Sequence, residues 1–443
     1  MSLDPSLVRI LPRTAGLTPD GHLALGGCDA VELAREFGTP LYIFDEVELR
    51  EACREWLAVF RSRYPRTTIV YAAKAYIGQA LAALIAEEGL GLDLASGGEL
   101  AIARSAAFLM EAVYLHGNNK STQELREALD ADVGHVVIDN FREAALLNDI
   151  ALETKQQQPV LLRLSPNIDP HTHRYIATGA LDSKFGAAIA TGQAEEAVLS
   201  LMASPGLRPV GLHAHIGSQI LETEPFGQAV RTIVEFGARM RERHGFDMQQ
   251  VSAGGGYAVQ YLRGTPAPSR ADYAEAVVSA LTESCRAHAV PLPQLVVEPG
   301  RSVVARAGVA LYSVGSRKEI PGVRTYLAVD GGMADNIRPA LYGAAYDALV
   351  ANRPGDIGPH ESVTIAGKYC ESGDILVRDA DLPKLWAGDV LAIPVSGAYC
   401  LPLASNYNAS LRPAVVFVND GQARLVRRRE TYEDLRRCEV SEP

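Results

Sequence analysis

A single lysine, Lys74, closes the run Thr67-Thr-Ile-Val-Tyr-Ala-Ala, which is rich in β-branched and aromatic residues and carries no charge. Such a run reads as a buried strand. An amine at the mouth of an apolar strand is partly desolvated, which is expected to lower its pKa and make it more nucleophilic. Nucleophilic lysines form Schiff bases with carbonyl compounds. The plain alternative is a side chain that snorkels to the surface. Glu298 closes another apolar run, Leu295-Val-Val, where a carboxylate is costly unless it is paired. A protonated pyridine nitrogen is one partner that offsets that cost. Gly254-Gly-Gly256 lets backbone N–H groups come close to a phosphate, although a tight turn is the common use of such a triplet. Ser218 can donate a hydroxyl to the same phosphate, and His215 can lie flat on an aromatic ring or sit satisfied in a core.

The elements that must position these groups form a repeating pattern. Eight apolar runs, at residues 69–74, 92–96, 113–116, 135–140, 160–165, 211–218, 251–256 and 295–300, alternate with helical segments. The first four run ends lie about 22 residues apart, enough for a strand, a helix and two loops. Continuous apolar strands alternating with helices imply a parallel sheet covered on both faces, and eight of them imply a (β/α)8 TIM-like barrel. A doubly wound sheet is the competing topology. In a barrel, Lys74, Asp93, His116, Arg163, His215, Gly254, Gly255, Gly256 and Glu298 would converge on the C-terminal mouth, where barrels build active sites.

Before this pattern stand a short strand at 21–25, a helix over 29–37 ended by Gly38, and a helix from Glu46 to about Arg63 with Asp45 as its N-cap. After Arg301 the long helices stop. Strand runs at 309–314, 325–329, 363–365, 390–395, 414–418 and 423–426 predict a C-terminal, mostly antiparallel β domain, and Asn419-Asp-Gly-Gln is a hairpin signal between the last two. The expected division is residues 1–36 joining the β domain, 37–305 as the barrel, and 306–443 as the β domain, with a charged, solvated tail from 427.

The chain has 443 residues, 47% hydrophobic and 21% charged, with net charge −11. No block of basic residues is present, which argues against nucleic-acid or anionic-membrane partners. The start lacks a basic region followed by an apolar core, and no apolar run is long enough to span a bilayer. The six cysteines are scattered without CxxC pairs. That predicts no metal site, no disulfide framework and a reducing cytoplasm.

Gathered on one rim, an amine, an acid for a pyridine nitrogen, and glycines and a hydroxyl for a phosphate describe a site for pyridoxal 5'-phosphate (PLP). From about Tyr42 to Asn408 the chain resembles the diaminopimelate decarboxylase family, in the fold type III group of PLP enzymes. The motifs are Tyr71-Ala-Ala-Lys-Ala75, Ser96-Gly-Gly-Glu-Leu100, His116-Gly-Asn-Asn-Lys-Ser121, Ser183-Lys-Phe-Gly186, His213-Ala-His-Ile-Gly-Ser-Gln219, Glu298-Pro-Gly-Arg301, Arg338-Pro-Ala-Leu-Tyr342, Cys370-Glu-Ser-Gly-Asp374 and Gly397-Ala-Tyr399. The resemblance implies decarboxylation of meso-2,6-diaminopimelate to L-lysine. It implies that Lys74 binds PLP covalently, that Glu298 faces the pyridine nitrogen, that His215 stacks on the ring, and that Ser218, Gly255, Gly256, Gly300 and Tyr399 serve the phosphate. Asp93, Pro299 and Arg301 complete the expected cofactor shell. It also implies a homodimer in which Cys370 and Glu371 of one subunit reach into the other's barrel.

The substrate chemistry agrees with this set. A distal amino-acid end needs cations for its carboxylate, which Arg301 and Arg338 can supply as bidentate donors. It needs an anion for its ammonium, which Glu371 can supply, with Tyr342 and Tyr399 as hydroxyl donors. Cys370 is the expected general acid that returns a proton to the carbanion. The chain departs from the family pattern at Tyr76, at Lys368 and Tyr369, and at Cys400, which leaves room for a related substrate such as ornithine, lysine or arginine. A racemase of this fold would want an arginine in place of Glu298. An inactive homologue with a binding or regulatory role would be expected to lose Lys74 or Cys370, and both are present.

Overall fold

The run that leads to Lys74 forms strand β1, Thr67–Ala72, of an eight-stranded parallel barrel. The others are β2 Gly91–Leu94, β3 Val113–Leu115, β4 His135–Ile138, β5 Gln158–Ser165, β6 Leu207–Ala214, β7 Gln250–Ser252 and β8 Gln294–Val297. Each pairs in parallel with the next, and β8 returns to β1 with Leu295 opposite Thr67. That last pairing closes the sheet and excludes the doubly wound alternative. The computed structural model describes residues 3–168, 183–355 and 358–440. The end of the expected solvated tail, residues 441–443, lies outside them.

The strands sit where their apolar runs predicted because a parallel strand covered on both faces has no polar side to show. Val70, Tyr114, Val137, Leu161, Val210 and Val296, from six of the strands, pack into one buried cluster. Helices begin soon after several strand ends, and side chains cap them. Ser96, Ser121 and Asn140 accept the N–H three residues on, at Glu99, Glu124 and Glu143. Ser121 with Glu124, and Ser269 with Asp272, complete reciprocal capping boxes. Lower in the barrel, Tyr114 donates to Gln250 at 3.1 Å and stacks on His135 at 4.3 Å, with the rings 7° apart.

The chain divides into two compact units. One comprises Cys53–Ala258 and Ala267–Ser302 and contains the barrel; the other comprises Met1–Ala52, Val259–Pro266 and Val303–Pro443. The expected boundary at residue 37 is therefore displaced. Leu41–Asp45 is buried throughout and belongs to the second unit, where it pairs antiparallel with Gly308–Ile320 and parallel with Ala414–Asn419. Residues 259–266 and 303–305 also leave the expected barrel for that unit. A short apolar strand does not announce its partner, and these partners lie hundreds of residues away.

In the second unit most pairings are antiparallel, as expected. The hairpin after Ala414–Asn419 turns through Asp420 and Gly421, whose φ values of 49° and 71° are those of a type I′ turn. Among the strands that went unread, Ile375–Pro383 pairs with His360–Ala366 at the sheet edge. Its Arg378, Asp379 and Asp381 make it too polar to stand out. The expected strand at 21–25 appears as Leu23–Leu25, in a small sheet with Gly16–Leu17 and Cys28–Asp29.

Candidate active site

At the C-terminal end of β1 the backbone tightens into a single turn, Ala73–Ala75, and this turn presents Lys74. The Tyr71 hydroxyl donates to the Tyr76 carbonyl at 2.6 Å and pins the turn. Lys74 Nζ lies 3.8 Å from Asp93 Oδ2, just past the pairing of Ala72 with Asp93. The Lys74 side chain is 42% exposed, against 2% for Asp93. The Lys74 side chain is thus only partly desolvated: its strand is buried, and the turn carries the amine past the strand end to the side of Asp93. Burial pushes the Asp93 carboxyl up to about 7, against the opposing pull of Lys74.

Glu298 follows β8 and is buried. Its Oε1 accepts from Ser252 Oγ at 2.7 Å, and its Oε2 lies 3.1 Å from His213 Nε2. His116 Nε2, just after β3, lies 3.7 Å from Glu298 Oε1 and 3.5 Å from Asp93 Oδ1. Burial acts to raise the Glu298 carboxyl, but His213 and His116 outweigh it and hold the group well below the usual range. Asp93 and Glu298 are therefore driven apart, one toward neutrality and the other toward the anion.

The Gly255 N–H donates to His215 Nδ1 at 3.1 Å, so that nitrogen carries no proton. Burial, then the Lys74 and Arg163 charges, hold the His215 imidazolium well out of reach, and the ring is neutral. A Cβ at Gly255 would lie 2.2 Å from the Glu298 carbonyl oxygen. Gly256 has φ 114° and a Cβ there would lie 2.4 Å from the Gly217 carbonyl oxygen, so only glycine fits either position. Arg301 Nη2 donates to Ser218 Oγ at 2.8 Å. The Pro299 carbonyl accepts the Ala72 N–H at 3.1 Å, which ties the Glu298-Pro-Gly-Arg301 segment to the end of β1. A Cβ at Gly300 would meet Ala72 at 3.0 Å.

A family model described as "Pyridoxal-dependent decarboxylase, pyridoxal binding domain" matches residues 47–305. This chain belongs to the pyridoxal-dependent decarboxylases. The diaminopimelate decarboxylase of Bacillus subtilis is 46% identical over 94% of this chain and 94% of its own. That of Actinosynnema pretiosum subsp. auranticum is 47% identical over 95% of this chain and 93% of its own. A solved diaminopimelate decarboxylase from M. jannaschii, in co-complex with L-lysine, is 34% identical with a TM-score of 0.91, covering 98% of this chain and 99% of that one.

The barrel unit of this decarboxylase thus brings together Lys74, Asp93, His215, Ser218, Gly255, Gly256, Glu298, Pro299, Gly300 and Arg301. They fit PLP on three features: a buried carboxylate held by two hydrogen-bond donors, an imidazole whose Nδ1 accepts the Gly255 N–H, and a glycine turn with no room for a side chain. Arg163, also expected at the mouth, is buried on β5, 3.9 Å from Asp139, with its guanidinium 4.4 Å from the Phe185 ring centroid. His213 and Ser252 were not singled out. The available signal was His213-Ala-His215, whose two-residue spacing puts both rings on one face of a strand.

The remaining sequence-predicted residues of the decarboxylase, Cys370, Glu371, Arg338, Tyr342 and Tyr399, belong to the second unit. Cys370 and Glu371 are exposed on a loop. Asp374 secures that loop by accepting the Tyr369 N–H at 2.8 Å and the Met333 N–H at 2.6 Å. The Cys370 N–H donates to Asn408 Oδ1 at 3.2 Å, and the Tyr407 hydroxyl donates to Glu371 Oε1 at 2.5 Å. Cys370 and Cys438 are exposed, whereas Cys28, Cys53, Cys285 and Cys400 are buried. Arg338 is buried and hydrogen-bonded to the Tyr346 hydroxyl. Tyr342 ends the helical turn Arg338–Tyr342. Tyr399 holds a left-handed backbone, φ 62°, the kind of strain that concentrates at functional sites. Among the described residues no helix is long and apolar enough to cross a membrane.

Proposed function

We propose that this chain removes one carboxyl group from meso-2,6-diaminopimelate and releases L-lysine and carbon dioxide. The observation that carries this reading is the near-full-length likeness to proteins bearing that activity in their names. A buried Arg338 in the expected substrate set supports it.

When bound, PLP supplies an electron sink for the pair left behind by departing carbon dioxide. Lys74 would hold it through the amine, and Glu298 would meet its ring nitrogen as an anion. His215, neutral and flat-sided, would cover the ring, with Asp93 and Pro299 beside it. Ser218, Gly255, Gly256, Gly300 and Tyr399 would take the phosphate, with Arg301 orienting the Ser218 hydroxyl. Arg301 and Arg338 are assigned to the distal carboxylate, Glu371 to the distal ammonium, and Tyr342 and Tyr399 to hydroxyl donation. Cys370 delivers the proton to the carbon that lost its carboxyl group. We assign the active form to a homodimer in which Cys370 and Glu371 of one subunit serve the barrel of the other. Their exposure leaves them available for that role. A reducing, cytoplasmic setting suits six free cysteines.

The test is a substrate panel. PLP-reconstituted protein is given meso-diaminopimelate, ornithine, lysine and arginine, and amine products and carbon dioxide are measured. A kcat/KM for diaminopimelate about a hundredfold above the others is expected, because buried arginines left without a carboxylate penalise the simpler substrates. Equal kcat/KM for lysine and diaminopimelate would overturn the reading.

A further inference from the structure

We infer that His213 and Ser252 form a clamp that keeps the Glu298 carboxylate anionic and aimed, making His213 a positioning residue for the cofactor's ring nitrogen. The inference rests on the PLP role assigned to Glu298. The geometry is specific. An ionised carboxylate only accepts hydrogen bonds, so His213 Nε2, 3.1 Å from Oε2, must carry a proton. Ser252 Oγ already accepts the Gly254 N–H at 3.2 Å, which turns its own proton toward Glu298 Oε1 at 2.7 Å. The Glu298 N–H in turn donates to the Gly254 carbonyl at 2.9 Å. Ser252 therefore links the carboxylate to the glycine turn, and the ring end and the phosphate end of the site are fixed by one hydroxyl. His213 stands edge-on to His116, ring centroids 5.0 Å apart at 66°, which limits where its ring can turn.

Other charged and titratable groups face the same carboxylate. His116 follows β3, Asp93 lies on β2, Arg163 lies on β5, and His215 follows β6; Tyr114 and Tyr257 also feel the Glu298 charge, and Lys74, after β1, faces Asp93. Only Ser252 and His213 reach it at hydrogen-bond distance among the described residues.

The test uses the full chain, stripped of PLP and titrated with it. His213→Leu should weaken PLP binding about ten- to a hundredfold, the range for a lost hydrogen bond to a charge. The visible absorption band of the reconstituted variant should titrate at lower pH, because a less anionic Glu298 releases the ring proton sooner. His213→Gln, which keeps an N–H donor, should recover most of both. A His213→Leu/Glu298→Gln double variant should match Glu298→Gln alone, since His213 acts through that carboxylate. Wild-type PLP affinity and an unmoved titration in His213→Leu, alongside an altered Glu298→Gln, would overturn the inference. An unaltered Glu298→Gln would instead overturn the role of Glu298 itself. If His213→Leu does not fold, Ser252→Ala removes the other donor and is held to the same outcomes.

Discussion

The guanidinium carbon of Arg338 lies 4.8 Å from the centroid of the Tyr261 ring, in a pocket where Tyr346 also donates its ring and accepts a hydrogen bond. Two aromatic faces stabilise a cation without neutralising it. Among the described residues no carboxylate pairs with Arg338, although the side chain is only 5% exposed. A buried charge without a counterion is costly, and an incoming carboxylate offsets the cost.

Replacing Arg338 should therefore act on substrate rather than on folding. Arg338→Leu is expected to lower kcat/KM for diaminopimelate by about 2–4 kcal/mol, mostly through KM. Tyr346→Phe, which removes one acceptor and leaves the ring, should cost about 1 kcal/mol. Steady-state kinetics of the two variants decide it; an Arg338→Leu enzyme with unchanged kcat/KM would remove Arg338 from the substrate site.

Lys74→Ala should abolish covalent attachment of PLP and nearly all turnover. Borohydride reduction of the wild-type holoenzyme should bleach its yellow colour and add the cofactor's mass to the peptide containing Lys74. The variant should show neither change. Wild-type activity in the variant after removal of free PLP would rule the assignment out.

The proposed sharing of sites between subunits makes a quantitative prediction. Lys74→Ala and Cys370→Ala are each expected to be nearly inactive alone. Random exchange between them makes half of all dimers mixed, and each mixed dimer has one site with both substitutions and one with neither. Activity should recover to roughly a quarter of wild type. If mass analysis confirms exchange and activity stays at the level of the separate variants, Cys370 serves its own subunit or is not the proton donor.

Burial in the barrel, with some help from the Arg208 charge, lowers His135 from its ordinary 6.5 to about 4. The folded state keeps this imidazole neutral where the unfolded chain already binds a proton. Stability is therefore fully present above about pH 6.5 and declines as pH falls toward about 4. Urea unfolding of the wild type should show this slope, and His135→Gln should flatten it. Identical slopes in the two proteins would contradict the prediction.

Much of the barrel was legible because its strands are continuous apolar runs and its chemistry gathers at one end of each run. Lys74, Asp93 and Glu298 could be named on that basis alone. The exposure of Lys74 could not, because it depends on a single turn, Ala73–Ala75, whose direction is set by Tyr71 and Tyr76. His213 and Ser252 were invisible as partners of Glu298 for a related reason. Each stands on a different strand, and the register between β6, β7 and β8 decides which side chains meet.

Residue types and their order therefore determined the parallel barrel, the antiparallel companion unit and the class of chemistry, since apolar periodicity and the placement of reactive groups are local properties. Tertiary structure alone decided the rest. It moved Leu41–Asp45 out of the barrel and into the second unit, because strand pairing joins Ile43 to Val309 and Val416 across most of the chain length. It also decided the charge of each acid. Asp93 and Glu298 are both buried carboxylates at strand ends. His116 lies within 3.7 Å of both, but only the three-dimensional arrangement gives Glu298 two hydrogen-bond donors, while Asp93 is left to burial, that imidazole and a lysine 3.8 Å away.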